Sequence, residues 1–380
     1  MALKLSNRGD IPPFIVMDVL RAANERAAAG EDILHLSLGQ PATPAPDYVL
    51  ETVKSALDTE MIGYTDAMGI PELRQGIADH YMHLYKQKVD PRRVMVTTGS
   101  SAGFLLSFLA AFNPGDRVAL AAPGYPAYRN ILVALDIEPV LIEVGPKERF
   151  QPTAELLAAQ GELDGVIIAS PSNPAGTMLS EEALKSIIDY CDANEVRLIS
   201  DEIYHGISYG TQETTALKFT DDAFIINSFS KYFSMTGWRL GWMILPEDML
   251  RAEECLAQNF FISPPTLSQI AGATVFKCYD VLESYVAQYA RNREILLNEL
   301  PSVGFDNLAP ADGGFYIYAD ISKRTNDSQS FCSRLLAETG IAATPGVDFD
   351  PFNGSHFMRF SFAGTEQTML EAVKRLKSWR

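Results

Sequence analysis

The sequence predicts an α/β fold: a large domain built on a mainly parallel sheet covered by helices on both faces, plus a smaller α+β domain. Two observations carry this. Through the middle of the chain, short apolar and β-branched runs alternate with helical patterns, as strands buried on both faces do. Near residue 281 the texture changes to one long helical stretch followed by shorter strands. At 380 residues the chain has room for roughly two to three domains. A chain of that size folds without disulfides or structural metals.

The elements follow in order. Residues 1–40, with Pro12-Pro13 and a helical pattern over Val16–Ala29, read as an arm and part of the small domain. Val94–Thr98 is a strand that leads into a helix over Ala102–Phe112, and Arg117–Ala121 is a strand closed by a Pro/Gly turn. Gly165–Ser170 is the next strand. After Pro171–Gly176 comes a helix opened by Ser180-Glu181-Glu182, a start resembling a capping box. Val196–Ser200 and Ala223–Asn227 complete a large domain spanning 41–284. Val281–Leu300 is a long helix, and Gly314–Ala319 and Met358–Phe362 are strands of a small domain over 285–380.

Composition excludes several classes of function. Hydrophobic residues at 47% and charged residues at 21% describe a globular protein. Thirty-one basic residues against 48 acidic ones leave a net charge of −17, which repels nucleic acid and anionic membranes. Neither is expected as a partner. Cys191, Cys255, Cys278 and Cys332 lie far apart without metal-ligand spacing, as core thiols of a reducing compartment do. Met1–Asp10 lacks the apolar core of a secretory signal, and no run approaches the ~20 apolar residues of a membrane span. A cytoplasmic protein is expected. His80-x-x-His83 has metal-binding spacing but no third ligand, and reads as a surface pair; no metal is expected.

Open α/β sheets bind ligands beyond the carboxyl ends of their strands. Five successive strand ends here deliver small, polar or charged residues: Gly99–Gly103, Pro123–Tyr125, Pro171–Gly176, Asp201–Tyr204 and Ser228–Lys231. Together they describe one pocket. Gly99-Ser100-Ser101-Ala102-Gly103 alone fits three structures. One is a G-x-S-x-G elbow with Ser101 as nucleophile, another a phosphate cradle at a helix start, and the third a tight turn. A hydrolase needs a histidine after the serine, and neither His205 nor His356 sits in a recognisable setting.

Lys231 lies among Phe229, Tyr232, Phe233 and Trp238, so partial desolvation lowers its pKa and frees its amine. Ser228 and Arg239 bracket it with a hydroxyl and a guanidinium that bind anions. A lysine that forms Schiff bases beside an anion clamp suits a phosphorylated aldehyde cofactor. Asp201, just past a buried strand, fits either a carboxylate for a pyridinium nitrogen or an N-cap or turn aspartate.

Further motifs extend the pattern: Leu38-Gly39-Gln40-Pro41, Tyr64-Thr65 with Gly69 and Glu72-Leu73-Arg74, and Ser172-Asn173-Pro174-Ala175-Gly176-Thr177. Beyond them come Asp201-Glu202-Ile203-Tyr204, Ser228-x-Ser230-Lys231 with Met235–Gly241, and Arg359-Phe360-Ser361. In this order and spacing the chain resembles the class I aminotransferases, the fold type I enzymes dependent on pyridoxal 5′-phosphate. The resemblance implies that Lys231 holds the cofactor as a Schiff base and shuttles the proton. It implies that Asp201 pairs with the ring nitrogen, that Asn173 and Tyr204 bond the ring's phenolate oxygen, and that Tyr125 stacks on its face. The phosphate would meet Ser100, Ser101, Ala102, Ser228 and Arg239, with Tyr64 arriving from the neighbouring subunit of a homodimer. Arg359 would grip the substrate carboxylate, with Gly39 and Asn173 beside it.

Two features bear on substrate. The Ser100–Gly103 loop lacks the Lys and Gln often found there in related enzymes, which argues against a dicarboxylic donor. Ile11–Val16 is apolar and would cover the side-chain pocket. The expectation is an aminotransferase that takes a neutral aliphatic, methionine or aromatic L-amino acid and a 2-oxo acid such as 2-oxoglutarate or pyruvate. A carbon–sulfur β-lyase on the same fold is the alternative, and a serine hydrolase using Ser101 a remote one. A cofactor-sensing regulator, whose kind carries a basic DNA-binding extension, is not expected of this acidic chain.

Overall fold

Alternate residues of the central strands enter two separate apolar cores, which is why the strands read as continuous apolar runs. The computed structural model describes residues 3–379. Met1, Ala2 and Arg380, at the outer ends of the first and last expected segments, lie outside the described residues. The strands are β1 (Leu34–His35), β2 (Val94–Thr97), β3 (Arg117–Ala122), β4 (Glu138–Glu143), β5 (Gly165–Ala169) and β6 (Arg197–Asp201). They continue with β7 (Phe224–Ser228), β8 (Gly241–Ile244), β9 (Tyr316–Asp320), β10 (Ile341–Ala342), β11 (Thr344–Pro345) and β12 (Phe357–Ser361).

A seven-stranded sheet runs in the order β2-β8-β7-β6-β5-β3-β4. Only β8 is antiparallel to its neighbours, so the mainly parallel sheet expected from the sequence is present. Val96, Val166, Ile168, Leu198, Ile225 and Trp242 enter one core with the helices Pro71–Tyr85, Glu181–Ala193 and Thr266–Val275. Met95, Ile167, Ile199, Ile226 and Met243 enter the other with Ser100–Ala111, Pro126–Ala134 and Leu250–Phe260. Each fully buried side chain of this kind contributes about 1.5–3 kcal/mol. Helices therefore cover both faces.

Several boundaries differ from expectation, and two strands of the large sheet, with the short β1, β10 and β11 outside it, were not anticipated. β6 and β7 each run one residue further, ending in Asp201 and Ser228 themselves. The helix expected over Ala102–Phe112 starts at Ser100, which puts both serines in its first turn. β4 and β8 had no counterpart in the sequence reading. Beyond the large sheet, β11, β12 and β9 form a three-stranded antiparallel sheet, and β1 pairs in parallel with β10. The helix Tyr279–Glu299 runs straight through the division expected between residues 284 and 285.

His80 corrects a second expectation: it is buried, not a surface residue. Its Nδ1 lies 2.7 Å from the Tyr279 hydroxyl and its ring packs among Phe233, Trp242 and Phe276. Burial holds its pKa down at about 3, so it stays neutral. Among the described residues no group of three or more His, Cys, Asp or Glu could hold a metal ion, and no helix is long and apolar enough to cross a membrane. All four cysteines are free, three of them buried.

Candidate active site

Asp201 ends β6, and Lys231 follows β7 by three residues, so adjacent parallel strands carry an acid and an amine to the same rim. That rim borders a cleft of about 170 Å³. The helix start after β2 reaches it with Ser100 and Ser101, and the loops after β3 and β5 with Tyr125 and Asn173. Tyr204, Arg239, Arg359 and Gly39 line it too. The small sheet supplies Arg359 from β12, so the cleft lies between the two sheets.

Lys231 donates to the carbonyl oxygen of Gly39 at 2.7 Å. Burial, together with the positive charges of Arg359 and Arg239, lowers its pKa to about 8 against the pull of Asp201. A substantial share of the amine is therefore neutral near physiological pH, as a nucleophile requires. Asp201 is buried, and burial raises its pKa to about 6. Its Oδ2 accepts a hydrogen bond from the Tyr128 hydroxyl, and its Oδ1 accepts one from the Ile203 amide at 3.0 Å. These bonds favour the carboxylate, so at pH 7 the ionised form predominates.

At the other end of the cleft the helix Ser100–Ala111 begins. Gly99 caps it with a positive φ of 78° and no side-chain cap, which leaves the first-turn amides of Ser100 and Ser101 free for an anion. A Cβ on Gly99 would stand 2.5 Å from the Arg239 guanidinium, so the glycine makes room for the cation over the helix start. Free amides, two hydroxyls and a guanidinium form a cradle that fits a phosphate monoester, and Lys231 fits its aldehyde.

Arg359 is buried. It donates to Asn173 Oδ1 at 2.7 Å, to the Ser37 carbonyl, and to Thr344 Oγ1 at 3.3 Å. Its Nε has no partner among the described residues. A buried, unpaired guanidinium nitrogen costs free energy unless a ligand meets it, and a carboxylate suits its geometry.

Three expected residues stand apart. The Ala102 amide donates to the Gly99 carbonyl at 3.2 Å. Ser228 is buried, and its hydroxyl donates to the Leu240 carbonyl at 3.4 Å and accepts from the Ser230 amide at 3.1 Å. Tyr64 is 84% exposed and lines no part of this chain's own cleft. Ser101 makes no hydrogen bond to a histidine among the described residues. His205 instead contacts Tyr85 and the Ser170 carbonyl.

The sequence reading missed Tyr128 and Tyr316. Tyr128 lies three residues past Tyr125, on the helix Pro126–Ala134, where an i,i+3 spacing was a usable signal. Tyr316 carried no signal, because only strand pairing brings it beside Arg359, whose guanidinium carbon is 4.2 Å from its ring centre. Phe14 and Val16 form the apolar wall, Phe14 meeting Tyr125 edge-on at 5.6 Å.

Comparison with known proteins gives one answer. Residues 31–376 match the family model described as aminotransferase class I and II. The chain is 50% identical to valine–pyruvate aminotransferase of Mycobacterium tuberculosis, over 100% of its own length and 99% of that protein. It is 30% identical to aspartate aminotransferase of Thermotoga maritima, over 97% of each. The crystal structure of an aminotransferase from M. tuberculosis superposes with a TM-score of 0.97 at 50% identity, covering 100% of this chain and 99% of that one. Aspartate aminotransferase from Thermus thermophilus with maleate gives 0.93 at 27%, covering 99% and 100%. Family, fold and cleft chemistry agree: the chain belongs to the aminotransferase class I and II family and is a pyridoxal-phosphate-dependent aminotransferase.

Proposed function

We propose that this enzyme moves the amino group of a neutral L-amino acid, of the valine or alanine type, to a 2-oxo acid such as pyruvate. The observation that carries the substrate class is the cation count in the cleft. Its lining holds only Lys231, Arg239 and Arg359 as positive groups, and each has a task at the reacting end. None remains for a second carboxylate. The wall of Phe14, Val16 and Tyr125 offers apolar contact instead. Similarity to the valine–pyruvate aminotransferase of M. tuberculosis supports the same class.

Bound pyridoxal phosphate supplies an aldehyde for amines and a ring that accepts negative charge from the substrate's α-carbon. Lys231 would be the amine that holds the cofactor by its aldehyde. Ser100, Ser101 and Arg239 hold the phosphate, with the Ser228 hydroxyl and the Ala102 amide behind them. Asp201, fixed by Tyr128 and Ile203, would keep a proton on the ring nitrogen. Tyr125 would pack against the ring, and Asn173 and Tyr204 would hydrogen-bond its oxygen. Arg359 takes the substrate carboxylate through Nε and a terminal nitrogen, which orients the α-hydrogen towards Lys231. Lys231 Nζ, released when the substrate's amino group takes its place on the aldehyde, would remove that proton as a neutral amine and later return one. Phe14 and Val16 would shield the reacting groups from bulk solvent, and a single water would enter to release the 2-oxo acid.

The active unit is a homodimer in which Tyr64 completes the partner's phosphate site. Met61, Ile62 and Tyr64 are exposed in the single chain, as are Phe260 and Ile262, an apolar set suited to burial against a second copy. Four free cysteines support a reducing, cytoplasmic location. Residues 41–284 are read as the large domain and 285–380 as the small one, joined by 1–40 through the β1–β10 pairing.

The test is a visible spectrum of the holoenzyme before and after addition of single L-amino acids. Valine and alanine should convert the band to that of the pyridoxamine form, and aspartate should do so far more slowly. Faster conversion by aspartate would refute the neutral class.

A further inference from the structure

We propose that Tyr316 is a positioning residue that couples the carboxylate seat, Arg359, to the ring-oxygen partner, Tyr204. The proposal rests on the roles given above to those two residues. It goes beyond them by assigning a task to a side chain that would touch neither phosphate nor ring nitrogen.

Tyr316 is 2% exposed and contacts three functional groups at once. In the β9–β12 ladder Arg359 pairs with Tyr318, which puts Tyr316 diagonally beside Arg359 on the same face. The guanidinium lies over its ring, with Cζ 4.2 Å from the ring centre, a cation–π distance. At the far end of the ring its hydroxyl is 2.8 Å from that of Tyr204. The same hydroxyl occupies the space beside Gly39, where a Cβ would stand only 1.6 Å from it. Gly39 in turn accepts the hydrogen bond from Lys231. The charged groups around this tyrosine are Arg359 against its ring, and Lys231 and Asp201 across the cleft.

Hydrogen counting fixes the direction. Each phenol has one hydrogen to donate, and only one can lie between the two oxygens. If Tyr204 gives its hydrogen to the cofactor's ring oxygen, the hydrogen between the tyrosines belongs to Tyr316. Tyr316 then donates to Tyr204, which aims the Tyr204 hydrogen into the cleft and polarises it into a stronger donor. Its ring meanwhile holds Arg359 flat. One residue thus sets the acidity of the bound cofactor through its hydroxyl and the substrate's grip through its ring.

These two tasks separate by substitution. In the holoenzyme, Tyr316→Phe removes the hydroxyl and keeps the ring. The pH midpoint of the visible cofactor band should rise by about half a unit to one unit, the size of a weakened hydrogen bond. KM for the amino donor should change less than about twofold. Tyr316→Leu removes both, and should also raise KM tenfold or more, as loss of a desolvated cation–π contact predicts. Coupling is tested with Tyr204→Phe: this variant should shift the midpoint at least as far as Tyr316→Phe, and the double variant no further. An equal extra shift from Tyr316→Phe in the Tyr204→Phe background would overturn the relay. No shift from Tyr316→Phe while Tyr204→Phe shifts would overturn this proposal alone. A Tyr204→Phe enzyme with an unmoved midpoint would remove the role given to Tyr204 and this proposal with it.

Discussion

Arg359 donates a 2.7 Å hydrogen bond to Oδ1 of Asn173, joining the small three-stranded sheet to a loop of the large one inside the cleft. The bond has a functional consequence. It holds the guanidinium plane still while Nε has no partner among the described residues, so the seat for a carboxylate exists before any substrate arrives.

That preorganisation predicts how substitutions at 359 behave. Arg359→Lys keeps the charge but loses the planar fork and the reach to both Asn173 and Ser37. A fall in kcat/KM of roughly a hundredfold is expected, with the visible cofactor band intact. Steady-state kinetics beside the spectrum check this. A Lys variant with unchanged kcat/KM would mean that charge alone seats the substrate.

Lys231 makes the pH prediction. Only the neutral amine attacks an aldehyde, and its pKa is lowered to about 8 by burial and by Arg359 and Arg239. The rate at which apoenzyme develops the visible band with pyridoxal phosphate should therefore rise about tenfold per unit below pH 8 and level off above it. A free lysine would keep rising towards pH 10. Stopped-flow absorbance from pH 6.5 to 9.5 decides between the two profiles. Lys231→Ala should form no such band.

Asp348 accepts hydrogen bonds from the Ile15 and Val16 amides, at 3.0 and 3.1 Å, and so caps the helix Ile15–Ala28 that carries the cleft wall. Removing it in Asp348→Ala should cost about 1–2 kcal/mol locally. Phe14 and Val16 would then spend less time against Tyr125. KM for valine should rise severalfold, more than KM for alanine, whose side chain reaches that wall less. Hydrogen exchange at residues 15–17 should accelerate. Asp348→Asn, which keeps one acceptor, should recover part of both effects.

What was legible in the sequence follows from what local pattern can encode. Five parallel strands were readable because burial on both faces leaves them mostly apolar along their length. β4 escaped notice: it is an edge strand with Glu138 and Glu143 at its ends and Pro139 inside. β8 escaped because its four residues begin at Gly241, the last residue of the Met235–Gly241 motif. The rim residues were legible wherever they follow a strand. Tyr316 was not, because its neighbour Arg359 is set by register between distant strands. His80 was misjudged although the information was present: Leu73, Ile77 and His80 fall on one helical stripe, and that stripe is buried.

Tyr64 supports the last prediction, which concerns assembly. In the single chain it is 84% exposed beside Met61, 93% exposed. The neighbouring backbone is tied down by the bond from the Thr65 amide to Ser263, 3.3 Å long, so the segment is held in place while the side chain faces outward. If Tyr64 serves the partner's site, Tyr64→Ala and Lys231→Ala damage different subunits' contributions to one site. Unfold and refold an equal mixture of the two variants. Half the dimers will be mixed, and each mixed dimer will carry one site with both residues intact. About a quarter of wild-type activity should return, where neither variant alone approaches it. Had Tyr64 acted within its own chain, no mixed dimer would contain an intact site, and mixing would restore nothing.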